Sequence, residues 1–136
     1  MPNRPKLGAV AVVIHEDSVV LVKRKKNPNA GSYRGYIRLA KSNVEEPLST
    51  HADRYDYNFS YGAAAYSKGA VFLAQLSYII GEENLKKTIK KYFDDFKFKH
   101  PVPNDIKRTA EKISGLQLDW YLNYFAQTTA MIDYAV

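Results

Sequence analysis

Phe59, Ala63, Tyr66, Ala70, Leu73, Ser77 and Ile80 recur at steps of three and four, the spacing that lines one face of an α-helix. The run predicts one long helix from about residue 57 that ends at Gly81, because a glycine suits the chain reversal after a last helical turn. Such a helix needs neighbours to bury its stripe, and the sequence supplies them. Leu85, Ile89, Tyr92, Phe93 and Phe96 define a second helix with lysines on its opposite face. Pro101 and Pro103 stop one element, and Asn104 or Asp105 can cap the next. Ile106, Thr109, Ala110 and Ile113 line that third helix, closed by Gly115, and Leu118, Tyr121, Leu122 and Phe125 line a fourth. TAMIDYAV at the end alternates weakly, as a short strand would.

Before this array the texture differs. LGAVAVVI, the polar turn HEDS and VVLVKR, over residues 7–24, are rich in β-branched residues and predict a hairpin. KNPNAGS at 26–32 carries the Pro and Gly punctuation of a loop. The expected fold class is therefore α+β: an N-terminal β-hairpin followed by a mostly helical array of about four helices. At 136 residues the chain is one domain in size, with segments 1–36 and 37–136 forming one compact unit.

Bulk properties narrow the function. The sequence has no cysteine, which excludes disulfides and thiolate metal sites. No signal-peptide pattern and no membrane-spanning run is visible, which predicts a cytoplasmic location as expressed and no membrane partner. The net charge of +6 invites a nucleic-acid partner. Its lysines cluster at 23–26 and 86–91 without the interleaved aromatics that stack bases. Glu82 and Glu83 stand four residues before Lys86 and Lys87, the favourable order for ion pairs on a solvated helix face. Nucleic-acid binding is not expected.

Complete catalytic constellations are missing from the residues taken alone. His15, His51 and His100 are the only histidines, and none pairs with another at ligand spacing, whereas zinc needs ligands converging from a rigid element. His15-Glu16 opens like H-E-x-x-H, but Val19 stands where the second histidine belongs. Glu45-Glu46 are neighbours in sequence, which do not face each other on a helix or strand, and suit a helix start or loop. Tyr66 is one of eleven tyrosines. By composition alone it is a core tyrosine whose hydroxyl finds a backbone partner.

Two resemblances go further. NRPKLGAVAVVIHEDSVVLVKRKKNPNAGSY, residues 3–33, resembles the opening of a Nudix hydrolase, with Tyr33 where that family often has Trp. The resemblance implies magnesium-dependent hydrolysis of nucleoside diphosphate derivatives, yet the family's metal box does not follow. Counted from Gly35, its first glutamate falls on Lys41, and no Arg-Glu pair occurs in the sequence.

Residues 37–136 resemble the helical half of the catalytic domain of aminopeptidase N-like zinc metallopeptidases. EEPLSTHADRY, YGAAAYSKGAVFLAQL, IIGEENL, KKYFDDFKFKHPVPNDIKRTAEKISGLQLDWYLNYF and TTAMIDYAV carry the likeness in order. It implies a peptide substrate and zinc. It also implies that Tyr66, in Y-x-K-G, hydrogen-bonds the oxyanion of the tetrahedral intermediate, and that Tyr61 lines the substrate cleft. On a regular helix those two phenols stand about 140° apart.

The zinc helix and its glutamates are not among these residues, so no cofactor and no metal site is expected in the chain itself. The two pieces together predict a chimera joined near residues 33–37. The expected function is an aminopeptidase-family segment or chimera, inactive alone. Alternatives are a non-enzymatic helical module, dimeric through exposed apolar surface, and a degenerate Nudix hydrolase.

Overall fold

A computed structural model of the chain describes residues 12–15, 18–21 and 28–130, with side chains from Gly31 onward. Helix α1 spans Pro28–Ala40. A long helix follows a loop and comprises α2 (Asn58–Gly62), a π-helical stretch (Ala63–Lys68) and α3 (Gly69–Ile80) without a break. Helices α4 (Glu82–Phe96), α5 (Pro103–Ser114) and α6 (Asp119–Gln127) complete the body.

The α+β expectation is corrected: from Pro28 to Gln127 every regular element is helical and five continuous helices make the fold. Two four-residue strands, Val12–His15 and Ser18–Leu21, pair antiparallel with each other. Such a ribbon is too short to make a layer of its own, and among the described side chains the core is built from helices and the loops that join them. The strand expected in TAMIDYAV falls largely outside the described residues.

The loop expected at 26–32 is also corrected, since α1 begins inside it. Pro28 stands at the first helical position, where the missing N–H is no loss and the fixed φ is already helical. What resembled loop punctuation is a helix start.

The core gathers Phe72, Leu76 and Ile80 of α3, Leu85 of α4, Ala110 of α5, and Leu118, Tyr121, Leu122 and Ala126 at and in α6. The Tyr121 ring stacks on Phe72 with centroids 5.0 Å apart, and its hydroxyl donates to the Phe72 carbonyl at 2.7 Å. Burial, then the neighbouring phenols Tyr33 and Tyr36, push the Tyr121 hydroxyl far above the ordinary tyrosine range. Tight turns set the helix boundaries. Gly81 at φ 87° and Gly115 at φ 73° take up backbone conformations open to glycine. Asp105 accepts from the Val102 N–H at 2.8 Å and so closes the start of α5, while Pro103 opens that helix rather than only stopping the one before it. On α4 the lysines face solvent, and Lys86 bridges Glu82 at 2.9 Å and Glu83 at 3.2 Å. Among the described residues no helix is long and apolar enough to cross a membrane.

The long helix keeps the stripe its sequence spacing predicts only toward its end, where Ile80 is buried and Leu73 packs against the core, and buries a different one in its first half. Ser60, Ala64, Lys68, Phe72, Leu76 and Ile80 are inside, at unbroken steps of four. Phe59 is 43% exposed and Tyr66 77%. In a regular α-helix each step of four drifts about 40° around the axis. The wider turns of the π stretch take up part of that drift, so one face stays inward from end to end.

Candidate functional site

Small residues let α1 lie close against the π stretch. A Cβ built on Gly35 would stand 2.2 Å from Ser67 Oγ and 2.9 Å from its Cβ, so only glycine fits that position of α1. Leu39 and Ala64, fully buried, close the same contact.

The loop between α1 and α2 is then fastened to the long helix by adjacent carboxylates. Glu46 Oε2 accepts from the Asp56 N–H and the Ser60 hydroxyl, each at 3.3 Å. Glu45 Oε1 lies 2.7 Å from Lys68 Nζ, with side chains 7% and 2% exposed. Lys68 also donates to the Thr128 carbonyl at 3.3 Å, just past the end of α6, where a cation suits the negative pole of the helix. The rings of Tyr36 and Phe125 each stand 5.7 Å from Nζ, near enough for a cation–π contribution. Ser49 N–H donates to the Ala126 carbonyl at 2.9 Å, tying the loop to α6 as well. Glu45-Glu46 is thus a loop pair whose two members grip separate points of one helix.

The phenols respond to this electrostatic setting. Burial first, and the Glu45 carboxylate second, raise the Tyr36 hydroxyl above its ordinary value. Burial first, and Glu46 second, do the same for Tyr55, whose hydroxyl donates to the Pro47 carbonyl at 3.1 Å.

Tyr66 and Tyr61 lie on the outer side of the same helix. Tyr66 is the more open, at 77%, and among the described residues its hydroxyl meets no hydrogen-bond partner. The core position expected from composition alone is therefore not the one it occupies. Tyr61 is 44% exposed and packs edge-on against Tyr55, with centroids 5.4 Å apart. In a π ladder the carbonyl of residue i meets the N–H of residue i+5, so residues five apart approach one face as residues four apart do in an α-helix. Tyr61 and Tyr66 are five apart and straddle the entry to the π stretch. The separation of about 140° that a regular helix would impose is reduced there. Tyr57 and Phe59 are also exposed on this part of the molecule, and Arg38 Cζ stands 5.3 Å from the Phe59 ring centroid.

A zinc ion does not fit the described residues. Among the described residues no three His, Cys, Asp or Glu side chains gather as a ligand set. His51 uses Nδ1 to accept from the Asp53 N–H at 3.3 Å, capping the short helix Ala52–Arg54. His100 is exposed, and the side chain of His15 lies outside the described residues. Glu45 is committed to Lys68 and Glu46 to Ser60 and Asp56.

The sequence model of the peptidase family M1 domain matches residues 26–125. The chain belongs to peptidase family M1. This agrees with the aminopeptidase resemblance of the helical region and extends it upstream. Residues 26–33, claimed by the Nudix resemblance, fall within the M1 match, which begins before the expected join at 33–37. Neither the Nudix likeness nor the chimera gains support. No curated protein and no solved structure matches the chain.

Sequence reasoning missed Lys68 and its partner Glu45. The usable signal was positional: Lys68 falls at a step of four between Ala64 and Phe72, on the inward stripe. A lysine there requires a counter-charge.

Proposed function

We propose that this chain is the helical part of an M1 metallopeptidase domain, with Tyr66 as its oxyanion donor and Tyr61 beside the substrate path. The observation that carries it is the exposed, unpartnered Tyr66 hydroxyl on a helix whose other face is anchored by buried groups. Water attack on a peptide carbonyl develops negative charge on oxygen. A fixed phenol donor aimed at that oxygen stabilises it without reorganisation, by roughly 3 kcal/mol for one donor. The family's zinc supplies the activated water in a complete domain. This chain's own residues position the phenol and shape an aromatic surface for a peptide, and among the described residues no ligand set for the metal gathers. On this reading the 136 residues alone are expected to be inactive.

Two measurements test the proposal. Purified chain incubated with zinc should retain no stoichiometric metal and should not cleave aminoacyl anilides; stoichiometric zinc with cleavage would overturn the inactivity. Tyr66→Phe should leave unfolding in urea within about 0.5 kcal/mol of the parent, as expected for an exposed group. A loss well above that would make the hydroxyl structural and remove the support for a donor.

Exposed Ile37, Tyr57, Phe59 and Tyr61 favour a second reading, a helical module that self-associates. Sedimentation that stays monomeric at high protein concentration rules that reading out.

A further inference from the structure

We infer that the buried Glu45–Lys68 pair is a positioning device: it holds the π register of residues 63–68 and thereby brings Tyr61 and Tyr66 toward one face. The inference rests on the proposed role of Tyr66 for its consequence, though not for its geometry.

The two carboxylates of Glu45 and Glu46 are neighbours on one loop and grip the long helix at two points. Glu46 reaches Ser60, ahead of the π stretch, and Glu45 reaches Lys68, its last residue. The far side is pinned separately by Phe72, Leu76 and Ile80 in the core. With both flanks fixed, the register between them is constrained. Converting the π stretch to regular α-helix removes one residue from its turns, which rotates Lys68 relative to Ser60 by about 100°. Lys68 would then swing away from Glu45, the Thr128 carbonyl and the two rings, and leave its charge buried without a partner. Such an uncompensated charge is strongly unfavourable.

Stability alone does not account for the pair. Apolar residues of similar volume commonly replace a buried ion pair at no loss, and this site already has the rings of Tyr36 and Phe125 to receive them. A directional N–H···O contact between charged groups fixes rotation about the helix axis in a way an apolar contact does not. Wide turns inside α-helices recur at functional positions, and here the wide turn carries the exposed phenol.

The test uses the full chain and reads register, not activity. In the parent, the Gly69 N–H reaches the Ala64 carbonyl five residues back, and a through-hydrogen-bond NMR coupling should join them. In Glu45→Leu/Lys68→Met, which removes both charges together, that coupling should disappear in favour of Ala65 while the shifts of α4 to α6 persist. A folded double variant that keeps the Gly69–Ala64 coupling overturns the inference. Should the double variant fail to fold, Glu45→Gln decides. Amide exchange over 63–69 should rise at least about tenfold relative to 72–80, the size expected when one charge-assisted hydrogen bond weakens. Equal exchange in both stretches overturns the inference as well. Neither measurement depends on whether Tyr66 meets an oxyanion, so the two claims fail separately.

Discussion

Gly35 of α1 and Ser67 of the π stretch meet so closely that a Cβ on the glycine would lie 2.2 Å from the serine oxygen. That contact brings Tyr36 and Leu39 onto the long helix and sets the wall behind Lys68. It also fixes why a glycine sits inside a helix, where it ordinarily weakens the element by about 1 kcal/mol relative to alanine.

Gly35→Ala should therefore destabilise the protein despite the gain in helix propensity. Overpacking of a close helix–helix contact costs about 1–3 kcal/mol, and Ser67 has no long side chain with which to move away. Ser67→Gly in the same chain should recover most of the difference. Urea unfolding of the four members of that cycle should show a coupling above about 0.5 kcal/mol, as expected for residues in contact. Additive effects would mean that the two helices separate freely at this point.

Tyr121 makes the protein sensitive to alkali. Its hydroxyl, 2.7 Å from the Phe72 carbonyl, ionises in the folded chain only far above the ordinary tyrosine range, mainly because burial disfavours the phenolate. The folded value is raised above the unfolded one. The stabilising contribution is thus whole below about pH 10 and falls as pH rises beyond it, because the unfolded phenol ionises first. Tyr36, Tyr55 and Tyr92 are raised as well, with burial the leading cause in each, and act in the same direction. Between pH 10 and 11.5 the unfolding free energy should drop by up to about 1.4 kcal/mol per pH unit from Tyr121. Tyr121→Phe should lower stability near neutrality by about 1 kcal/mol through the lost hydrogen bond, and should flatten the alkaline slope. An unchanged slope in that variant would assign the alkaline loss to other phenols.

How far the sequence reveals this architecture depends on what kind of interaction builds each part. Helices α4, α5 and α6 are legible because an amphipathic stripe, a proline and a glycine act locally; Leu85, Ala110, Leu118 and Tyr121 lie in the core, and Gly81 and Gly115 end their helices. Helix α1 is not legible in the same way, because Pro28 and Gly31 resemble loop punctuation until one sees Pro28 at a helix start. The phase of the long helix is lost for a subtler reason. Alternating steps of three and four assume 3.6 residues per turn, and the π stretch breaks that assumption at Ala63. The stripe through Phe59 and Tyr66 therefore emerges on the outside. The same error conceals the pairing of Lys68 with Glu45, which are 23 residues apart and joined only by the tertiary fold. Tyr66 could be singled out only through a family resemblance. Its exposure is a consequence of the register that buries Lys68.

Thr88 supplies the last test. Its side chain is wholly buried on α4, and its hydroxyl oxygen has no hydrogen-bond partner among the described residues. A helical threonine usually returns its hydroxyl to a carbonyl three or four residues back, and its neighbour in the inward stripe, Leu85, is apolar. Burying a hydroxyl without a partner costs about 1–3 kcal/mol by protein mutational comparison. Thr88→Val keeps the β-branched shape and nearly the same volume while removing that cost. The substitution should thus stabilise the protein by about 1 kcal/mol, seen as a higher urea midpoint with an unchanged slope, since the surface exposed on unfolding is the same. A lower midpoint would show that the hydroxyl is hydrogen-bonded in solution and that α4 packs differently against α3 and α5 there.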